Sequence, residues 1–420
     1  MTPYKVILAH PGKQHSYRSA MALKKGGIDL TYITTVYYKE RSLTKFASQV
    51  LKNDNFKRAV SRICPELEDS QVKQFCELDG LITLLLLRLD KSKKIYRWWN
   101  DRTTKRFGKK VARYAIKHQA DMVITYDTNA QPCFHYLIKK SSDILRVMDI
   151  STAARPYTKA IYEEDMEKTG LNGLRKTNSF LWNPEREAYF SREIQETQYF
   201  LCPSIFVQKG LLYCNVKKDQ IFRVPYGVQL EKFRFAPRKE HTGPLRLVYT
   251  GEVDYRKGFH HLLNVIERFS EDELELTLFG NYDADDAIIQ RAMKKRNLHF
   301  KGFVLQEQLF DEYDRADLYV FPSLIEGLSL SILEAMACGL PVLISDHSGA
   351  NDLIEQRKNG VVFEVGDDDA LERELRWFMA NRSCLMEMGQ AACETVQSFS
   401  WNAYYHNYAK TVLALLDGRA

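Results

Sequence analysis

No run of about eighteen apolar residues, the length a spanning helix needs, occurs in this 420-residue chain. A membrane-spanning helix is therefore not expected. Eight cysteines, at 64, 76, 133, 202, 214, 338, 384 and 393, form no C-x-x-C pair. Several stand in apolar stretches, which favours buried reduced thiols in a cytosolic protein over disulfides or zinc. The glycine fingerprint G-x-G-x-x-G is missing, which argues against a Rossmann dehydrogenase. No Asp-x-Asp triplet is placed like a metal site, and no metal is expected. Internal repeats and low-complexity tracts are also missing. The opening MTPYKVILAHPG has neither a charged n-region nor a long apolar core, so no signal peptide is expected and the location is read as cytoplasmic.

What is present is a globular composition. Hydrophobic residues make up 45% of the chain, and the length suits two or three domains. The most informative stretch is Asp317–Asp346, DLYVFPSLIEGLSLSILEAMACGLPVLISD. Leu318 to Phe321 reads as a buried parallel strand, stopped by Pro322 and Ser323. A helical pattern begins near Leu328, with Leu330, Leu333, Ala337 and Leu340 at helical spacing. Gly339 and Pro341 end it, and Val342 to Ser345 reads as the next strand. Ligands bind such strand–helix–strand units at the carboxyl ends of the strands. Glu326 lies just before the helix and Glu334 about two turns inside. Their axial separation should be roughly 9 to 12 Å, the length of a nucleoside diphosphate carrying a sugar. Between them the helix start at Gly327, Leu328 and Ser329 offers backbone N–H groups and a positive dipole end to a diphosphate. Spacing alone leaves open two ordinary surface glutamates near a helix start.

Glu326-Gly327, followed by Glu334 and then Ala-Met-Ala-Cys-Gly-Leu-Pro-Val, resembles the donor-site signature of the retaining family 4 glycosyltransferases. The resemblance runs from about Phe200 to Phe399 and more weakly through the first half. It implies the GT-B fold: α/β, with two Rossmann-like domains facing each other across a cleft and a C-terminal helix crossing back to the first. The expected domains are 1–226 on the acceptor side, with the tail 398–420 packing on it, and 227–397 for the nucleotide-sugar donor. The polar stretch 231–243, with Pro237 and Gly243, reads as the linker. The resemblance gives Glu326 the hydroxyls of the donor sugar and Glu334 the ribose. It places Gly251 at the start of a phosphate loop and Lys257 on the leaving diphosphate. The family's Arg in that loop is here Glu252, and the neighbouring Arg256 is the substitute cation. Val304 would border the nucleobase.

The first half opens with a strand, Lys5 to Ala9, a loop from His10 to His15, and a helix from Ser16 to Lys25. In the family that loop touches the donor phosphates, often with a Gly-Gly pair; here Gly12-Lys13 stands instead, so the likeness rests on Gly12. A strand from Leu145 ends at Asp149, where the family often has His. Asp149 is a candidate acceptor of a hydroxyl proton, and a capping Asp is the competing reading. The catalytic candidates are thus Glu326, Lys257 and Asp149.

Residues 81–120 carry twelve Lys and Arg against Asp90 and Asp101, a local charge of +10 in a chain of net +6. LITLLLLRL joins KSKKIYRWWNDRTTKRFGKK there. This suits an anionic membrane surface at the inner face of the cytoplasmic membrane; the competing reading is a core helix plus a solvated face. No nucleic-acid motif accompanies it.

The resulting expectation is a metal-independent, retaining transferase without a cofactor. It would move a sugar from a nucleotide-diphosphate sugar to a saccharide or lipid-linked acceptor, in surface polysaccharide or glycolipid assembly of bacterial type. Two other readings stay open. One is an epimerase or hydrolase of the same fold, using Asp127 and Asp149. The other is a non-catalytic sugar- or lipid-binding relative, suggested by Glu252.

Overall fold

A computed structural model describes residues 4–13, 15–49, 53–233, 235 and 242–418. Among the described residues, thirteen strands form two sheets, parallel throughout. The first contains β1 (Lys5–Ala9), β2 (Asp29–Thr34), β3 (Val72–Gln74), β4 (Met122–Tyr126), β5 (Leu145–Asp149), β6 (Tyr199–Cys202) and β7 (Ile221–Arg223), in the order 3-2-1-4-5-6-7. The second contains β8 (Leu245–Thr250), β9 (Leu274–Phe279), β10 (Leu298–Gly302), β11 (Leu318–Phe321), β12 (Val342–Ser345) and β13 (Gly360–Phe363), in the order 10-9-8-11-12-13. In each sheet the strand order reverses once, between β1 and β4 and between β8 and β11. Crevices open at such reversals, beyond the carboxyl ends of the strands. The loops after β1, β4, β8 and β11 are therefore where a ligand fits. This is the two-domain GT-B architecture.

The strands read as apolar runs because both faces are covered. All four residues of β11 and of β12 are buried. Between them lies the helix Leu330–Ala337, which buries Ile332, Leu333, Ala335, Met336 and Ala337. It starts two residues later than the pattern suggests, because Leu328 and Ser329 remain in the loop. Its end is a Schellman motif: the Leu340 N–H reaches Ala335 O at 3.0 Å and the Gly339 N–H reaches Met336 O at 2.9 Å. Gly339 holds φ +75°, and a side chain there would also run into the Phe235 ring. Truncating the fully buried Leu333 to Ala would cost about 2 to 5 kcal/mol, as a cavity in a close-packed core does.

The helix Trp401–Asp417 lies against the first sheet's layer. Arg18 stacks on Trp401 at 4.4 Å, Tyr4 donates to Asp417 at 2.9 Å, and Tyr408 donates to Asp149 at 3.1 Å. Its spacing of Tyr404, Tyr405 and Tyr408 places three rings inward.

Several expectations need adjustment. The leucine-rich run is not a core helix. It forms the helix Glu77–Leu89, in which only Gly80 is buried, while Leu78, Leu85 and Leu89 are more than half exposed. A separate helix, Lys94–Lys117, follows and buries Phe107, Val111, Ala112 and Ala115. Val304 lies beyond the end of β10 rather than in it. β3 has too few residues to show a period of its own; its pairing with β2 creates it. Of the linker expected at 231–243, residues 234 and 236–241 lie outside the described residues.

Candidate active site

The two reversals face each other at one short loop. After β11, Pro322 to Ser329 runs along the first sheet's strand ends. Gly327 presses on Ser151 O so closely that any side chain would overlap it, and Ser204 Oγ donates to Gly327 O. Glycine at 327 is therefore required by the approach of the two halves.

Glu326 is the electrostatic centre of this loop. Its Oε1 is bound by Lys257 Nζ, by Ser323 Oγ at 3.0 Å and by Arg256 at 3.4 Å. Lys257 is 9% exposed and lies over the Phe321 ring, its Nζ 4.9 Å from the centroid. Arg256 also pairs with Glu252 at 2.9 Å. Burial works against the Arg256 charge, but Glu326, followed by Asp254, outweighs it and raises the guanidinium further. The carboxylate at 252 thus does not replace a cation in the site; it holds Arg256 in place.

Ser329 precedes the helix Leu330–Ala337 without capping it through its side chain. Its hydroxyl pairs with Ser331 at 2.9 Å instead. Ile332 N–H already reaches Ser329 O at 3.3 Å, and the helix start at Leu330 and Ser331 has no side-chain cap to keep a ligand away. Glu334, farther along, contrasts with Glu326. The only hydrogen bond to its carboxylate among the described residues comes from Gln306. Burial pushes its carboxyl up to about 7, with Gln306 and Lys232 working against the shift.

Arg256, Glu326, Gly327 and Leu328 share a cavity of about 390 Å³ with Ser151 and Arg155 from the first half. A larger cleft, about 590 Å³, lies under the tail helix at Gly26 and Ala409, away from these loops. Gly251 begins the loop after β8 at φ +145°. Gly12, in the loop after β1, donates its N–H to His10 Nδ1 at 2.8 Å and does not line the cavity around Glu326.

Asp149 is not brought to that cavity as an open carboxylate. It is 3% exposed, and its oxygens accept from His15 at 3.1 Å, Ser19 at 3.2 Å and Tyr408 at 3.1 Å. Its geometry is that of a residue orienting His15. Burial opposes charge on His15, and Asp149 reverses this and raises its imidazole. Asp127 is engaged as well, by Arg155 at 3.2 Å and Ser151 at 3.2 Å. Arg155 escaped the reading of the sequence. The signal that could have found it is position: it opens the helix Arg155–Thr169, directly after the loop leaving β5.

Residues 231–395 match the family model described as glycosyl transferases group 1. Among curated proteins, the chain is 29% identical over 198 residues to a glycogen synthase of Mycobacterium tuberculosis, covering 46% of this chain and 48% of that protein. It is 31% identical over 199 residues to the amylovoran biosynthesis glycosyltransferase AmsK of Erwinia amylovora, covering 44% and 49%. The chain thus spans about half the length of the curated relatives it matches. Likeness to solved structures covers nearly everything. A sucrose-phosphate synthase from Thermosynechococcus elongatus superposes with TM-score 0.66 at 16% identity, over 99% of this chain and all of that one. Anabaena HepE in complex with UDP gives 0.60 at 14% identity, over 98% and 100%. At such identities the likeness speaks for the fold. The group 1 match spans all the second-half candidates: Gly251, Arg256, Lys257, Val304, Glu326, Gly327, Leu328, Ser329 and Glu334.

Proposed function

We propose that this protein transfers a sugar from a nucleotide-diphosphate sugar to an acceptor, with retention of the anomeric configuration. One observation carries the reading: Glu326 is gripped by Lys257 and Arg256 at the start of an uncapped helix that holds Glu334 farther along. Two cations and a helix N-terminus suit a leaving diphosphate, since fixed donors aimed at developing charge lower the barrier without reorganising. An arriving diphosphate competes with Glu326 for Lys257 and Arg256. Released from them, Glu326 takes sugar hydroxyls. The acceptor attacks the face that the diphosphate leaves, and a phosphate oxygen receives its proton. No metal or cofactor is needed for these steps. Residues 227–397 hold the donor and 1–226 the acceptor, with 398–420 on the first half. Asp149 is assigned to positioning His15. HepE was solved in complex with UDP-glucose, which favours a uridine nucleotide as the first donor to try. AmsK and its role in amylovoran biosynthesis favour a polysaccharide product.

The competing readings lose ground on particular contacts. An epimerase or hydrolase needs a free acid–base group on the first half, and both Asp127 and Asp149 are engaged. A non-catalytic relative was suggested by Glu252, which instead supports Arg256.

A thermal-shift screen of UDP-, GDP- and ADP-sugars tests the donor assignment. A ligand at about 100 times its Kd adds about 2.7 kcal/mol to the native state, which moves the melting temperature measurably. If no nucleotide sugar shifts it, the reading fails.

No helix among the described residues is long and apolar enough to cross a membrane. We assign peripheral attachment to the helices Glu77–Leu89 and Lys94–Lys117. Exposed Leu78, Leu85, Leu89, Ile95 and Trp98 lie on them beside exposed Lys105, Arg106, Lys109 and Lys110. Apolar burial and attraction to anionic lipid would act together there. Charge reversal at those four cations should weaken binding to anionic vesicles, as should added salt. Unchanged binding would leave only a solvated face.

A further inference from the structure

A second cluster lies apart from the cavity at Glu326, where the two halves meet. Asp165 comes from the helix Arg155–Thr169, which follows β5 of the first sheet. His260 and His261 come from the helix Phe259–Ile266, which follows β8 of the second. His260 Nε2 lies 3.2 Å from Asp165 Oδ2, and His261 Nε2 lies 2.7 Å from Asp165 Oδ1. One ligand atom from each residue falls within 4.8 Å of the others. The residues are 7%, 1% and 3% exposed. On its far side, His261 Nδ1 is 2.6 Å from Asp368 Oδ1.

We propose that Asp165, His260 and His261 bind a divalent transition metal of the zinc class that joins the two halves. Two imidazoles and a carboxylate are a donor set that suits zinc. Asp368 can accept from Nδ1–H of His261, which with a metal bound would leave Nε2 as the ligating nitrogen. Carboxylate–imidazole–metal relays are built this way. His260 adds a further reason. Its Nδ1 has no hydrogen-bond partner among the described residues, so its contact at Nε2 alone has to offset the burial of the ring. A metal–nitrogen bond at Nε2 would offset that burial more strongly than a hydrogen bond does.

The site is structural, with a fourth position left to water or to the second Asp165 oxygen. Its effect reaches the donor loop by continuity. Arg256, Lys257 and Gly258 lead directly into the helix that carries both histidines. A metal bridge would therefore set the distance of that loop from the first half. This inference rests on the cluster alone and stands whether or not the chain uses a nucleotide sugar.

The test uses the full chain, purified without chelator and measured for metal content, then stripped and titrated with zinc or cobalt(II). Close to one equivalent of zinc is expected. The stripped protein should melt at a lower temperature, and zinc should restore it. Bound cobalt should show the absorption of a four-coordinate site with nitrogen and oxygen ligands. His261→Gln should abolish uptake. Asp368→Asn keeps all three ligands and should weaken affinity about 10- to 100-fold, as loss of a supporting carboxylate does. The wild-type titration does not depend on whether any variant folds. Stripped wild-type protein that takes up no more metal than His261→Gln, with no change in melting temperature, overturns the proposal. The cluster would then be a charged imidazole held between two carboxylates.

Discussion

The loop before the helix Leu330–Ala337 and the helix itself hold the same residue type in opposite surroundings. At the loop end Glu326 has Lys257, Arg256 and Ser323 around one oxygen. Deeper in the helix Glu334 has Gln306 alone, and burial holds its carboxyl up at about 7. One glutamate is surrounded by two cations and a hydroxyl, whereas burial disfavours charge on the other. The difference teaches where binding energy is available. At Glu334 a hydroxylated ligand gains a new acceptor. At Glu326 it must first take over the cations, which an anionic ligand such as the proposed diphosphate can do.

The sharpest way to break this comparison is Glu326→Gln. It keeps shape and hydrogen-bonding capacity but removes the charge, at the place where the proposed transfer has the sugar gain oxocarbenium character. An interaction strengthened only in the transition state lowers kcat when lost. A charged hydrogen bond is worth about 1.5 to 3 kcal/mol, so a loss of about 10- to 150-fold in kcat is expected, with donor KM little changed. Donor titrations at saturating acceptor measure both constants. A variant with wild-type kcat would mean that Glu326 does not touch the reacting sugar.

Glu334→Ala should do the reverse. The ribose does not change during transfer, so its contacts are shared by ground and transition states. Donor KM should rise about 3- to 10-fold, the worth of one hydrogen bond, while kcat holds. Equal losses of kcat in both variants would erase the distinction between the two glutamates.

The last expected effect is on stability, and its sign is opposite. A carboxyl raised to about 7 in the folded chain, against an ordinary value of 4.5, binds more protons folded than unfolded between those limits. Stability therefore falls as pH rises from about 4.5 to about 7, by roughly 2 to 3 kcal/mol. Glu334→Gln removes that cost. It should melt a few degrees above wild type at pH 8, with the gap closing near pH 5, as scanning calorimetry would record. A gap independent of pH would mean that the carboxyl is ionised throughout.

Much of this contrast was legible in the chain. Apolar runs bounded by Gly, Pro and Ser located β1, β8, β11 and β12, because strands covered on both faces need little but apolar residues. The Gly339-Leu340-Pro341 ending was readable because only glycine fits the left-handed cap. Glu326, Lys257 and Glu334 stood out through their motif. Other features were not legible, for reasons of distance along the chain. Asp149 looked like an open carboxylate at a strand end; His15, Ser19 and Tyr408 close it, and Tyr408 comes from the far end of the sequence. The leucine run looked fit for a core, yet apolar character alone does not say whether a helix finds a covering layer.

Local order was determined by the sequence itself: which segments extend, which coil, and which loops lie at strand ends. These follow from side-chain periodicity and from glycine and proline, which act within a few residues. Tertiary structure decided which charges meet. Arg256 could have reached solvent, and packing turned it toward Glu326. Asp165, His260 and His261 are ordinary surface-helix residues in the sequence, and the approach of the two halves makes them one cluster. Electrostatic partnership depends on distances of a few ångströms between segments tens to hundreds of residues apart, and no pattern along the chain encodes those distances.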